Sequence, residues 1–132
     1  MSKSEFVAVA ILRIMGASAL FAIPVVFFPH VWMDAIHGAL GLGELPDLPI
    51  VRYLTRSLSA FYAMFGAITL FISFDIERYR PLIVLWAILI TIMGLVLFGI
   101  DLASGMPAEW TWSEGTFVAA IGLLVLYSLR RK

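Results

Sequence analysis

The sequence predicts an all-α fold: a bundle of four transmembrane helices, with a short amphipathic interfacial helix between helices 1 and 2. Three observations carry that prediction. Of the 132 residues, 62% are hydrophobic and 14% charged, and the mean hydropathy is +1.01. A soluble domain of this length cannot hide so much apolar surface, because small domains leave a large share of it exposed. Apolar runs at about 6–28, 50–73, 82–100 and 113–129 are each long enough to cross a bilayer. The shortest extends roughly 25 Å, against a hydrocarbon core of roughly 30 Å. Basic residues, finally, gather on alternate connections. Lys3, Arg78, Arg80, Arg130, Arg131 and Lys132 fall on one side, while Asp34, Glu44, Asp47, Asp101 and Glu109 fall on the other. The positive-inside rule then puts both termini and the 74–81 turn in the cytoplasm. Four spans return the chain to its starting side, so charge and span count agree. The whole chain reads as one integral membrane domain.

Helix 1 covers the first run. Lys3, a short apolar stretch and Ala17-Ser18-Ala19 have the form of a signal peptide. Arg13 interrupts that stretch, however, and the apolar character resumes from Leu20 to Phe28. A membrane helix is the better reading. Ala10, Arg13, Gly16, Ala17 and Pro24 share a face, and Pro24 is expected to kink the outer half. Arg13 lies about 10 Å into the helix and can snorkel toward the cytoplasm, or stand as a functional charge inside the bundle.

Residues 30–40 are too short to span. Trp32, Ala35, Ile36, Ala39 and Leu40 make one face, and His30, Asp34 and His37 the other. The pattern predicts a helix lying in the outer interface with its polar side in water, ended by Gly41 or Gly43. Two imidazoles and a carboxylate at i, i+4 and i+7 also form a weak metal half-site, with no further ligand nearby.

Helix 2 opens at Pro49, which suits a first turn. Arg52, Arg56, Ser59, Ala63 and Gly66 fall on one small, charged stripe; Leu54, Leu58, Phe61, Phe65, Ile68 and Ile72 fall opposite. The bulky face is expected to meet lipid and the small one to admit neighbouring helices, so both arginines should point into the bundle. Gly16 with Ala17 on helix 1 and Gly94 on helix 3 are the expected counterparts. At the cytoplasmic turn, Asp75 with Arg78 or Arg80 predicts an interfacial ion pair, with Arg13 as a third member, and Pro81 opens helix 3. Asp101 marks the outer end of helix 3. Thr111-Trp112-Ser113-Glu114 matches a capping box and predicts the start of helix 4. Trp32, Trp110 and Trp112 belong to an outer aromatic belt.

Chemistry concentrates at the outer ends. Arg52 and Arg56, with Asp101, Glu114, Glu44 and Asp47, predict either an ion-pair network pinning helices 2, 3 and 4, or a ligand pocket. In the pocket, Arg56 with Tyr53 or Tyr62 would hold an anionic or carbonyl-bearing ligand such as a quinone or a lipid headgroup. The spacing does not separate the two. Zero net charge argues against nucleic-acid binding, and the absence of cysteine excludes disulfides and thiolate catalysis. No catalytic residue is assigned, because hydrolase, nucleotide-binding and zinc-protease motifs are all missing.

His37-Gly38, Gly41-Leu42-Gly43-Glu44-Leu45-Pro46-Asp47, Arg52-Tyr53-Leu54, Arg56-Ser57-Leu58, and Ser73-Phe74-Asp75 with Arg78-Tyr79-Arg80-Pro81 resemble stretches of small uncharacterised bacterial membrane proteins. These are loosely similar to the four-helix DoxX-like proteins. The resemblance implies a four-helix protein of the bacterial inner membrane, and for some DoxX-like proteins an association with quinone-linked oxidation. The expected function is an accessory or scaffold subunit, associating with lipids and with other membrane subunits or copies of itself. A quinone- or lipid-binding component of a membrane oxidoreductase is the alternative, and a small-anion carrier using Arg52 and Arg56 comes third.

Overall fold

Proline and glycine decide where these helices break. The computed structural model describes residues 2–130 of the chain, and no strand occurs among them. α1 (Lys3–Leu20) is followed after a one-residue break by a single turn, α2 (Ala22–Val25). Pro24 has no amide to give the carbonyl four residues earlier, so the helix opens at Phe21, whose amide donates instead to Ser18 O. The helix is thus interrupted just before Pro24, where a kink was expected. Beyond it, α3 (His30–Ala39) is a ten-residue helix. It ends as its glycines predicted: Gly41 takes φ +75, and the amides of Leu42 and Gly41 donate to the carbonyls of His37 and Gly38. Such a left-handed closure favours a residue without Cβ.

α4 (Pro49–Ile72), α5 (Arg80–Ser104) and α6 (Ala108–Arg130) complete the chain. Together with Lys3–Val25 they make four helical segments long and apolar enough to cross a membrane. The protein is all-helical, as the sequence predicts, and reads as a membrane protein. Two boundaries differ most. α5 runs past Asp101 and closes at Gly105 (φ +68), with Met106 N donating to Asp101 O. Asp101 thus lies inside the last turn. α6 begins at Ala108, four residues before Trp112, the first helical position the capping box predicts. Thr111 N makes a helical bond to Pro107 O at 3.0 Å, and Thr111 Oγ1 donates back to the same carbonyl at 3.2 Å. Thr111 therefore lies within the helix, not at its N-cap. Pro107 and Glu109 were the true start signals, a proline at the boundary and an acid in the first turn.

The chain divides into two compact units, Ile14–Phe71 and the residues flanking it. In the flanking unit, Ala8, Leu12, Ile83, Ala87 and Val125 are fully enclosed. Its α5–α6 seam is glycine-built. A Cβ placed on Gly94 would stand 2.5 Å from Gly115 O, and one on Gly115 would stand 2.5 Å from Gly94 O. Gly122 meets Ala87 O and Thr91 in the same way. Glycine permits backbones to touch, which is how packed membrane helices gain contact without a hydrophobic driving force.

In the Ile14–Phe71 unit the same device joins the C-terminal part of α1 to α4. A Cβ on Gly66 would lie 2.8 Å from Gly16 O, and one on Gly16 would lie 2.9 Å from Gly66 O. The small strip of α4 therefore meets the expected partner on α1. The expected partner on α5 is corrected: Gly94 spends its bare face on Gly115 and Ala119 of α6. Leu54, Leu58, Phe61, Phe65 and Ile68 are exposed as the bulky stripe predicts. Ile72 is the exception at 1% exposed, because the end of α4 tucks in with buried Ser73 and Ile76.

Candidate functional site

Two groups of polar side chains stand out, one in each compact unit. The first lies within Ile14–Phe71 and is built by α3, the 40–48 connection and the start of α4. Gly41 and Gly43, both with positive φ, fold the connection back over α3. Asp34 Oδ1 accepts from Leu45 N at 2.7 Å, and His37 Nδ1 stands 2.9 Å from Gly43 O. His37 therefore carries its proton on Nδ1 if it donates there. His30 Nδ1 is enclosed without a hydrogen bond, 3.8 Å from Asp47 Oδ1. Arg52 Nη1 reaches the same Asp47 oxygen at 3.3 Å. The polar side of α3 was expected to face water. It faces its own chain instead, because the returning connection brings a backbone amide and a carbonyl within reach.

That strapping separates the polar groups of α3. Asp34 and His37 are turned to different backbone groups, and among the described residues no three His, Asp or Glu side chains could hold a metal ion. Glu44 is exposed on the strap. Arg56, expected to point inward, is exposed, and its guanidinium makes a long 3.5 Å bond to Phe28 O. Tyr53, three residues before Arg56, is also exposed.

Asp101 and Glu114 belong to the other unit. Glu114 Oε2 accepts from Trp110 Nε1 at 2.9 Å, one turn earlier on α6, so its carboxylate anchors an indole rather than a helix terminus. Asp101 is 5% exposed, and its Oδ2 is enclosed without a hydrogen-bond partner. A carboxylate oxygen in that position costs free energy until a donor reaches it, the more so at the negative end of a helix dipole. Elsewhere on the α5–α6 surface, Leu95, Phe98, Trp112, Thr116, Ala119 and Leu123 line an open apolar hollow of about 360 Å³. Phe98 and Trp112 meet edge to face across it, their centroids 5.1 Å apart.

The chain matches no protein-family model, no curated protein and no solved structure.

At the turn between α4 and α5 the partners also differ from those expected. Arg80 Nη1 meets Glu5 Oε1 at 3.4 Å, and its Nη2 bonds to Leu129 O. One side chain thereby ties α5 to the first turn of α1 and the last turn of α6. Asp75 Oδ1 accepts from the backbone amide of Arg78 at 3.1 Å, a side-chain turn that shapes the loop. Arg78 lies over the Tyr79 ring, and Arg13 is exposed with its guanidinium 5.4 Å from the Phe74 ring. Sequence reasoning missed Glu5, Leu129, Gly115 and Gly122. For the glycines a signal existed: Gly115, Ala119 and Gly122 recur at helical spacing on one face.

Proposed function

We propose that this chain is an accessory or scaffold subunit of a larger complex in a bacterial inner membrane, with both termini in the cytoplasm. The orientation rests on basic residues at the termini and the 73–79 turn, and on acidic residues at the other ends. One observation carries the functional reading. Arg56 stands seven residues into α4, about 10 Å from its start, exposed on a helix suited to cross a membrane. An arginine inside a span costs at least about 2.5–3.5 kcal/mol unless it is paired or reaches water. A carboxylate from another subunit is the counter-ion the subunit reading supplies.

Installing a photo-crosslinking amino acid at Tyr53, one turn from Arg56 on the exposed side, tests this in intact cells. An adduct to a larger membrane protein is expected, and its yield should fall sharply in Arg56→Gln. Adducts to lipid alone, or none, would overturn the reading.

A quinone- or lipid-binding component of a membrane oxidoreductase is the second reading, and the hollow on α5 and α6 favours it. Its size lies within the range of small-ligand pockets, roughly 300–1,000 Å³. Quinone retained through purification and displaced in Gly115→Leu would support it.

A further inference from the structure

We propose that α3 is a lipid-surface anchor, seated with its apolar face among the acyl chains of the outer leaflet and its polar face spent on the chain itself. The inference goes beyond the subunit reading, because it holds for the protein alone in a bilayer. On a helical wheel, at about 100° per residue, Val31, Ala35, Ala39, Trp32, Ile36 and Leu40 occupy a continuous arc of about 180°. Every large member of that arc is exposed, Val31 at 73%, Trp32 at 57%, Ile36 at 49% and Leu40 at 53%.

The complementary arc has no such surface. Met33 is buried, Asp34 and His37 bond to the backbone of the strap, and His30 faces Asp47. An ordinary amphipathic helix could turn its polar side to water and hide its apolar side against its own protein. Here the hydrogen bonds at 2.7 and 2.9 Å fix the opposite orientation. The apolar arc has to be covered from outside.

Connectivity says by what. Only residues 26–29 separate α3 from the span that ends at Val25, and residues 40–48 separate it from the span that begins at Pro49. Each tether presents an exposed apolar side chain near its span end, Phe27 at 78% and Leu48 at 52%. The arc of α3 therefore continues the lipid-facing surface of the two spans it connects. It carries no Lys or Arg, so the attachment is by apolar area rather than by attraction to anionic headgroups.

The chain has no cysteine, which makes single-cysteine spin labelling direct. Labels at Val31, Ile36 and Ala39, and one at Glu44 on the strap, are compared in the purified protein in phosphatidylethanolamine–phosphatidylglycerol liposomes. Power saturation with oxygen and with a water-soluble nickel chelate reads the environment of each. Oxygen contact should exceed nickel contact at the three α3 sites, and the order should reverse at Glu44. Nickel contact prevailing at Ile36 and Ala39 would show the face in water and overturn the proposal. Low contact with both reagents there would mean that a second copy or another segment covers the face, and would overturn it equally. Adding the Asp34→Ala substitution should raise nickel contact at Ile36, because it frees the strap; no change would refute the role given to the polar bonds. None of these outcomes depends on whether a partner subunit exists.

Discussion

Replacing Gly94 by alanine tests the glycine seam against a built-in control on the same helix. Both Gly94 and Gly99 lie within α5, and an alanine in a helix interior is worth about 0.5–1 kcal/mol over glycine. At Gly99 nothing stands within 4 Å of an added Cβ, so Gly99→Ala should be neutral or stabilising by that amount. At Gly94 the Cβ would meet Gly115 O at 2.5 Å and Ala119 Cα at 2.8 Å, with the Ala119 amide nitrogen nearer still. All three are backbone atoms and cannot rotate away. Restoring a carbon–oxygen contact of about 3.5 Å requires α5 and α6 to part by about 1 Å along much of the seam. Overpacking of this kind costs about 1–3 kcal/mol. Set against the gain in helix propensity, Gly94→Ala should lose about 1–2 kcal/mol net. Reversible unfolding in mixed micelles, with the two variants side by side, reads the difference. Opposite signs are expected. Should Gly94→Ala match Gly99→Ala, the two helices do not touch at this point and the seam does not exist.

Three further outcomes follow from the same geometry. Gly66→Ala should destabilise by about 1–3 kcal/mol before its propensity gain, while Gly38→Ala, with open space around it, should not, again by micelle unfolding. Arg80→Ala should lower the unfolding midpoint through loss of Glu5 and the Leu129 carbonyl, whereas Arg78→Ala should change little, because Arg78 engages the turn through its backbone amide and stacks on its own neighbour. Arg52→Ala should shift unfolding of the isolated protein by less than about 1 kcal/mol, since its pair with Asp47 is half-exposed; a larger loss would mark it as part of a buried network.

What the sequence conveyed was periodicity. Apolar runs of sufficient length announced four spans, and the 3.6-residue repeat put Gly66 and the phenylalanines of α4 on their proper faces. The pairing of Gly66 with Gly16 was legible because both faces were small. The pairing of Gly94 was not: a wheel tells which way a residue points, never which helix stands there. The same limit explains α3. His30, Asp34 and His37 were correctly grouped, yet the groups that satisfy two of them are a backbone amide and a carbonyl brought round by left-handed glycines. Backbone groups have no letter in a sequence. Glu5 and Arg80 are 75 residues apart, so no local spacing could join them. Asp101 was found as a charge near a helix end, but its enclosure became visible only once α5 was seen to continue past it.

The central claim, that this chain works within a larger assembly engaged through Arg56, is met most directly by native mass spectrometry. Wild type and Arg56→Gln would be tagged, extracted gently from the same membranes and compared at equal membrane abundance. Larger protein subunits in fixed ratio with the wild-type chain are expected, and their loss from Arg56→Gln with the chain itself still folded. Wild-type protein flying alone, or only in multiples of its own mass, would contradict it.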